Sequence, residues 1–368
     1  LDHGNSMSDS KADDDDSDSE NARPTPKEPR QLSLVDVPEQ LSDAKRGRLS
    51  VEDEISNVLR IARDNTSSIE SQAEALSEIE QLCSLTSYNS SPSIRERIMK
   101  MGGSDAVKMA MLRSLDNVNL QRAGCAAIAN LYSEGEGRVG TNSGTRVVDD
   151  DHVRVVVAAM GTHPCDLSVQ RQGCRALVPL TRASKSPEKS IVASKAQCFR
   201  AAVGAVIGAM QAHTEDAEMQ VFALCALLNL SKKSSSIHAI VNANGPWSIV
   251  VAMQNHPRIK TICSAACFIL AKLSEEGGEC AQAVKDVPGV SSTVLQIMSD
   301  YCDLRIQADC CKILCNACSG RGGCKEIINE SEGIIETLLK AMQQQIHTVE
   351  VKVCCVKAIH HICSEESV

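Results

Sequence analysis

Gln121-Arg122-Ala123-Gly124-Cys125-Ala126-Ala127-Ile128-Ala129-Asn130-Leu131 and Gln220-Val221-Phe222-Ala223-Leu224-Cys225-Ala226-Leu227-Leu228-Asn229-Leu230 are two copies of one phrase. The phrase opens at Gln72, Gln121, Gln170, Gln220, Cys263, Gln307 and Lys352, so successive copies lie 49, 49, 50, 43, 44 and 45 residues apart. A period in this range belongs to helical solenoids. A unit of two or three helices cannot bury its apolar face alone, so copies stack and leave a long groove, a shape used for binding proteins more often than for catalysis. A second landmark sets the same register. Met111, Met160, Met210, Met253, Met298 and Met342 each precede the phrase by 10 residues, or by 9 after Met298. Between the landmarks lies a turn, as in Met160-Gly161-Thr162-His163-Pro164, where proline ends one helix before the next begins. Each unit therefore contains at least one helix hairpin.

Composition agrees with an all-α stack. Of 368 residues 43% are hydrophobic but only 2% aromatic, so the core is built from Leu, Ile, Val, Ala, Met and Cys, the side chains that closely packed helices need. Alternating runs that would signal strands are nearly absent. The 18 cysteines would suggest disulfides in a small secreted chain, but Cys125, Cys174, Cys267 and Cys311 all fall four residues after the start of the phrase. A residue type recurring in one repeat phase fills one recurring packing slot. Free thiols in such number suit a reducing compartment, so cytoplasm or nucleus is expected. No apolar run has the length of a membrane span, and no signal peptide opens the chain.

Residues 1–50 do not share the repeat and are expected to form a disordered acidic tail; residues 51–368 form the array. Asp9 to Glu20 holds seven acids and one base, and three prolines follow between Arg23 and Pro29, too little apolar surface to offset ordering entropy. Met7-Ser8-Asp9 reads as a natural start, with Leu1 to Ser6 upstream of it. From Val51 the helical pattern begins with Ile55, Val58, Leu59 and Ala62. The polar stretches Glu134 to His152 and Ser184 to Ser190 lengthen the early spacings and are expected to leave the stack as loops. After the last phrase the chain stops without an evident polar capping helix.

The period, the Met-ended second helix and the phrase ending in Asn130-Leu131 or Asn229-Leu230 resemble armadillo repeats, as do Gly103, Gly245, Gly289 and Gly333 before the second helices. The resemblance covers about residues 52–366 and does not assign a subfamily. It implies a right-handed superhelical solenoid of about seven repeats whose third helices line a concave groove for an extended peptide, with asparagines at the groove position bonding that peptide's backbone.

The groove position reads Gln81, Asn130, Pro179, Asn229, Lys272, Asn316 and His361. One turn earlier stand Ser77, Ala126, Arg175, Cys225, Phe268, Lys312 and Lys357, where nuclear-import adaptors of the family carry tryptophan. That departure sets aside an import-adaptor reading. These positions hold four bases, Arg175, Lys272, Lys312 and Lys357, and no acid, in a chain of formal charge −9. Such a face favours an acidic or phosphorylated peptide by steering and charge-assisted bonds. The acidic run Asp13 to Glu20, flexibly tethered, is a possible competitor for it. The expected peptide-groove residues are Asn130, Arg175, Asn229, Lys272, Lys312, Asn316, Lys357 and His361.

Gly135-Glu136-Gly137-Arg138-Val139-Gly140 matches a dinucleotide fingerprint in letters only, since it follows a helix and opens none. His163, His213 and His256 each follow the second-helix methionine by three residues, but neighbouring helices stand about 8–10 Å apart, too far to converge on one zinc ion. They are expected to complement helix dipoles. Cys311, Cys315 and Cys318 form one helix stripe and are expected to pack. No cofactor, metal or catalytic set is expected, and no membrane partner. RNA binding needs planar side chains on a basic stripe, which seven aromatics and an acidic balance disfavour. A regulatory subunit of a kinase, phosphatase or ubiquitin ligase stays open beside the scaffold reading.

Overall fold

The phrase and the methionine keep their distance because a buried amide joins them. Gln121 Nε2 donates to the carbonyls of Met111 (2.8 Å) and Ser114 (2.9 Å), Gln170 to Met160 (2.7 Å) and His163 (2.8 Å), and Gln220 to Met210 and His213 (both 3.0 Å). Gln307 repeats the clamp on Met298 and Tyr301. Each glutamine opens a third helix and satisfies carbonyls that the end of the second helix leaves without partners. The methionine itself packs on the third helix: a Cβ at Gly124 would lie 2.4 Å from Met111 Cγ, and one at Gly173 2.5 Å from Met160 Cγ.

The structure, a computed structural model, describes residues 50–84, 94–133, 150–182, 193–319, 333–344 and 349–365. Every regular element among them is a helix: α1 (Val51–Arg63), α2 (Ile69–Ser84), α3 (Ile94–Lys100), α4 (Gly103–Arg113), α5 (Val118–Tyr132), α6 (Asp150–Thr162), α7 (Leu167–Thr181), α8 (Ala193–Ala212), α9 (Ala217–Ser231), α10 (Ser234–Asn242), α11 (Gly245–Asn255), α12 (Lys260–Glu276), α13 (Gly278–Lys285), α14 (Val290–Asp300), α15 (Leu304–Cys318), α16 (Ile334–Gln344) and α17 (Val349–Glu365). The acidic tail, most of the two polar inserts and the glycine-rich hexapeptide lie outside the described residues.

The seven copies of the phrase are α2, α5, α7, α9, α12, α15 and α17, each packed on the next. The methionine-bearing helices α4, α6, α8, α11, α14 and α16, preceded by α1, form a second layer. Each of these lies against its own third helix and its neighbours in the layer. The short helices α3, α10 and α13 lead into α4, α11 and α14 through a left-handed residue, Gly102 (φ 74°), Asn244 (φ 60°) or Gly289 (φ 72°). Gly103 and Gly245 serve a different need. A Cβ there would meet Ile98 or Ile240 Cγ2 at 2.3 and 2.5 Å, so glycine permits the close approach of helix and turn.

The core runs without a break along the stack. Cys125, Cys174, Cys267 and Cys311 are completely buried in their common slot. Burial pushes the Cys125 thiol up to about 12. Cysteine thus acts here as a small neutral hydrophobe.

Candidate functional site

Four of the third helices begin with a side-chain cap: Asn117, Asp166, Asp216 and Asp303 accept from the backbone N–H two or three residues on. These caps fix where each helix starts, and with it which residues share the groove edge. At that edge Arg175 on α7 reaches Glu80 on α2 (3.3 Å), two repeats back, across Asn130 on α5. Side chains two repeats apart meet only on the inner side of a curved stack. This edge is therefore concave in the first half of the array.

The expected groove residues divide into two groups. In the first half they are engaged with one another. Asn130 donates to Glu80 O and Ser84 Oγ (both 3.0 Å), and its own oxygen accepts from Arg175, which also donates to Gln172 Oε1 (2.9 Å). Asn229 donates to Val178 O (3.0 Å), next to Pro179. These asparagines join the last turn of one third helix to the next repeat, a use the sequence reading did not foresee.

In the second half more capacity is free. Lys272 on α12 and Lys312 on α15 share one carboxylate, Glu275, at 2.9 and 3.3 Å. Burial works against the charge of Glu275, yet the hydrogen bond from Lys272 and the charge of Lys312 hold its carboxyl below the ordinary 4.5. Asn316, one turn after Lys312, is half-buried, and its amide bonds no described residue. Lys357 is exposed on α17 and makes no ion pair among the described residues, but α17 packs one residue out of the expected register: Cys355 meets Cys311, so Val356 and His360 stand where Lys312 and Asn316 stand on α15, and Lys357 and His361 each lie one residue further round the helix. Beside them Phe268 on α12 carries the Lys232 ammonium 6.0 Å above its ring.

Acids also line this face, although none occupies the fourteen positions taken from the sequence. Glu80 precedes a groove position by one residue and Glu275 follows another by three, so both fell outside that set. At the first repeat a pocket of about 600 Å³ is lined by Glu70, Glu74, Glu78, Gln81, Asn119 and Arg122, among others. Desolvation, then the nearby Glu54, raises the Glu78 carboxyl above 4.5. The run of glutamates four apart on α2 was the signal that could have found it. The face thus changes from acidic at α2 to basic at α12 through α17.

The other candidates have structural surroundings. The ring Nε2 of His163 meets Leu115 O (2.8 Å), and that of His256 meets Thr214 O (2.9 Å). Each ring serves the turn one repeat back, where its own helix end had been expected. Cys311 Sγ lies 3.3 Å from Cys355 Sγ on α17, and Cys267 Sγ 3.6 Å from Cys310 Sγ. Among the described residues no group of three or more potential ligands is placed to hold a metal ion, and no helix is long and apolar enough to cross a membrane.

Two stacked helical layers, clamped by glutamine and lined on one edge by the third helices, define an all-α repeat solenoid. Residues 145–277 match a family model described as the LRRK2 ARM repeat, and the same helical unit recurs on both sides of that segment, so the chain is similar to armadillo-repeat proteins. Among curated proteins none matches the sequence significantly. Of solved structures, an engineered protein from the Northeast Structural Genomics Consortium is 20% identical, covering 84% of this chain and 97% of that one, with a TM-score of 0.46. A structure concerned with the interaction between cadherin and beta-catenin is 11% identical, covering 85% and 73%, with a TM-score of 0.39.

Proposed function

We propose that this chain is a non-enzymatic scaffold that holds an extended, acidic or phosphorylated segment of a partner protein against the second half of its groove. The observation that carries this reading is the contrast between the halves. Asn130, Arg175 and Asn229 spend their polar groups on neighbouring repeats, whereas the amide of Asn316 and the ammonium of Lys357 have no hydrogen-bond or ion-pair partner among the described residues. Lys272 and Lys312 supply two further cations beside them, and Phe268 an apolar wall. An extended backbone offers carbonyls for Asn316, and its anionic side chains fit the lysines. The many free thiols support a reducing compartment, cytoplasm or nucleus, as its proposed location.

The test is fluorescence anisotropy with a labelled aspartate-rich peptide and its phosphoserine counterpart, comparing the native chain with Lys312→Glu/Lys357→Glu. Lys357 is exposed and Lys312 is half-buried on Glu275, so the variant's melting temperature is compared with that of the native chain, and it should bind at least about tenfold more weakly, a loss of about 1.4 kcal/mol. Equal affinities would move the binding surface away from this face.

A further inference from the structure

Glu275 is an odd residue to find where it stands. It lies in the last turn of α12, whose unpaired carbonyls already carry partial negative charge, so the helix itself disfavours a carboxylate there. What holds it is the pair of groove lysines. One oxygen takes Lys272 at 2.9 Å from its own helix, and the other takes Lys312 at 3.3 Å from the next repeat. The two ammonium groups therefore share one anion across the repeat boundary. The carboxylate is about one third exposed, so it can swing away without unpacking the core. The acid that meets a groove base in the first half, Glu80, is not comparable, because it stands elsewhere in its repeat and its partner Arg175 is also bonded to Asn130 and Gln172.

Resting on the function proposed above, we infer that Glu275 sets the specificity of the groove: it occupies the Lys272–Lys312 pair as an internal anion, so the site admits a phosphorylated segment and turns away one bearing only carboxylates. An aspartate or glutamate arriving at the lysines must displace Glu275 and exchanges one carboxylate for another, with little net gain. A phosphoryl group brings a charge of about −1.5 to −2 and three acceptor oxygens, enough to bond both ammoniums and still face Asn316 or Lys357. Displacement then yields more attraction than it removes. The ligand so selected is a phosphoserine- or phosphothreonine-bearing extended peptide.

The experiment uses the full chain, the aspartate-rich peptide and its phosphoserine counterpart, with Glu275→Gln as the variant and melting temperature as a control. The native chain should prefer the phosphopeptide by at least about tenfold. Glu275→Gln should bind the aspartate peptide several-fold to tenfold more tightly and lose most of that preference, because an arriving carboxylate then no longer has the Glu275 carboxylate to displace. If Glu275→Gln leaves both affinities unchanged while Lys312→Glu abolishes both, the groove binds as proposed and Glu275 is only a structural tie. If neither peptide binds the native chain or Glu275→Gln, the groove reading falls and this inference with it.

Discussion

The residue that does most to define the fold is the glutamine that opens the phrase. Its amide hydrogens bond two carbonyls at once, one at the end of the second helix and one in the turn after it. Replacing Gln170 by leucine keeps the volume and removes both bonds, leaving two buried carbonyls unmatched. The expected loss is about 2–4 kcal/mol, at roughly 1 kcal/mol per bond plus the desolvation cost of the carbonyls, read as a lower urea midpoint. The benefit is not uniform along the array. In Gln121, Gln220 and Gln307 the side-chain oxygen is buried without a partner, so the corresponding leucine variants should cost less than that of Gln170. Cys263 shows how the clamp can be replaced. Its thiol reaches Pro257 O only weakly at 3.4 Å, and Tyr301 from the next repeat donates its hydroxyl to the same carbonyl at 3.0 Å. The recurrence of glutamine was legible in the sequence, but its role was not, because its partners are main-chain carbonyls and leave no mark in residue types.

Among the elements, the third helices were the most legible, since their apolar spacing, their caps and their period agree. What the sequence hid is how each start is tied to the repeat before it. Asp216 caps α9 through Met219 N (2.7 Å) and also takes Arg171 from α7, while Asp303 caps α15 and takes Lys260 from α12 (2.8 Å). One carboxylate thus sets a helix start and joins two repeats. Asp216→Ala should cost about 1–2 kcal/mol, the usual range for a lost cap. Asp216→Asn keeps an acceptor for the cap and loses only the partly exposed ion pair, so it should cost less than about 1 kcal/mol. The same groups set a pH response. Lys260 and the capped N–H groups hold the Asp303 carboxyl below 3.8, and for Asp216 the bonds from Arg171 and Met219 N outweigh desolvation to the same end. Because the folded values are depressed, the stability these carboxylates contribute is fully present above about pH 4–5 and is lost as pH falls through the folded values. Urea titrations at pH 7 and pH 3.5 should therefore differ less for Asp216→Ala than for the native chain. The carbonyls that His163 and His256 meet are hidden for a related reason: spacing shows which helix a side chain leaves, not which carbonyl it meets.

At the scale of the whole array, the repeat made the architecture legible and left the groove only half so. The lysines and asparagines fall at the fourteen groove positions, but the acids that answer them lie beside those positions: Glu275 shares a face with Lys272 by i,i+3 spacing, and Glu80 is brought to Arg175 by the curvature of the stack. Curvature is a property of stacked repeats, written in no single one. The same dependence on neighbours governs stability. Each third helix is held mainly by those before and after it, so resistance to local opening should be greatest where both sides are packed. On α15 and α17 the recurring cysteine slot holds Cys311 and Cys355, both completely buried and facing each other, but Val349, Val353 and Val356 lie exposed along α17. α17 packs against α15 and α16 and has its opposite face in water. Amide hydrogen exchange at neutral pH should therefore show α16 and α17 losing protection first, with protection rising toward α7, α9 and α12. Leu227→Ala, which empties part of the core under α9, should cost about 2–5 kcal/mol and lower protection in the adjoining α7 and α12 more than in α2 or α15. Equal protection of α17 and α9 in the native chain, or a uniform fall along the array in the variant, would mean that the repeats open as one block and that coupling extends well beyond nearest neighbours. In that case an anion bound at Lys312 would also stiffen α2, whereas nearest-neighbour coupling confines its effect to α12, α15 and α17.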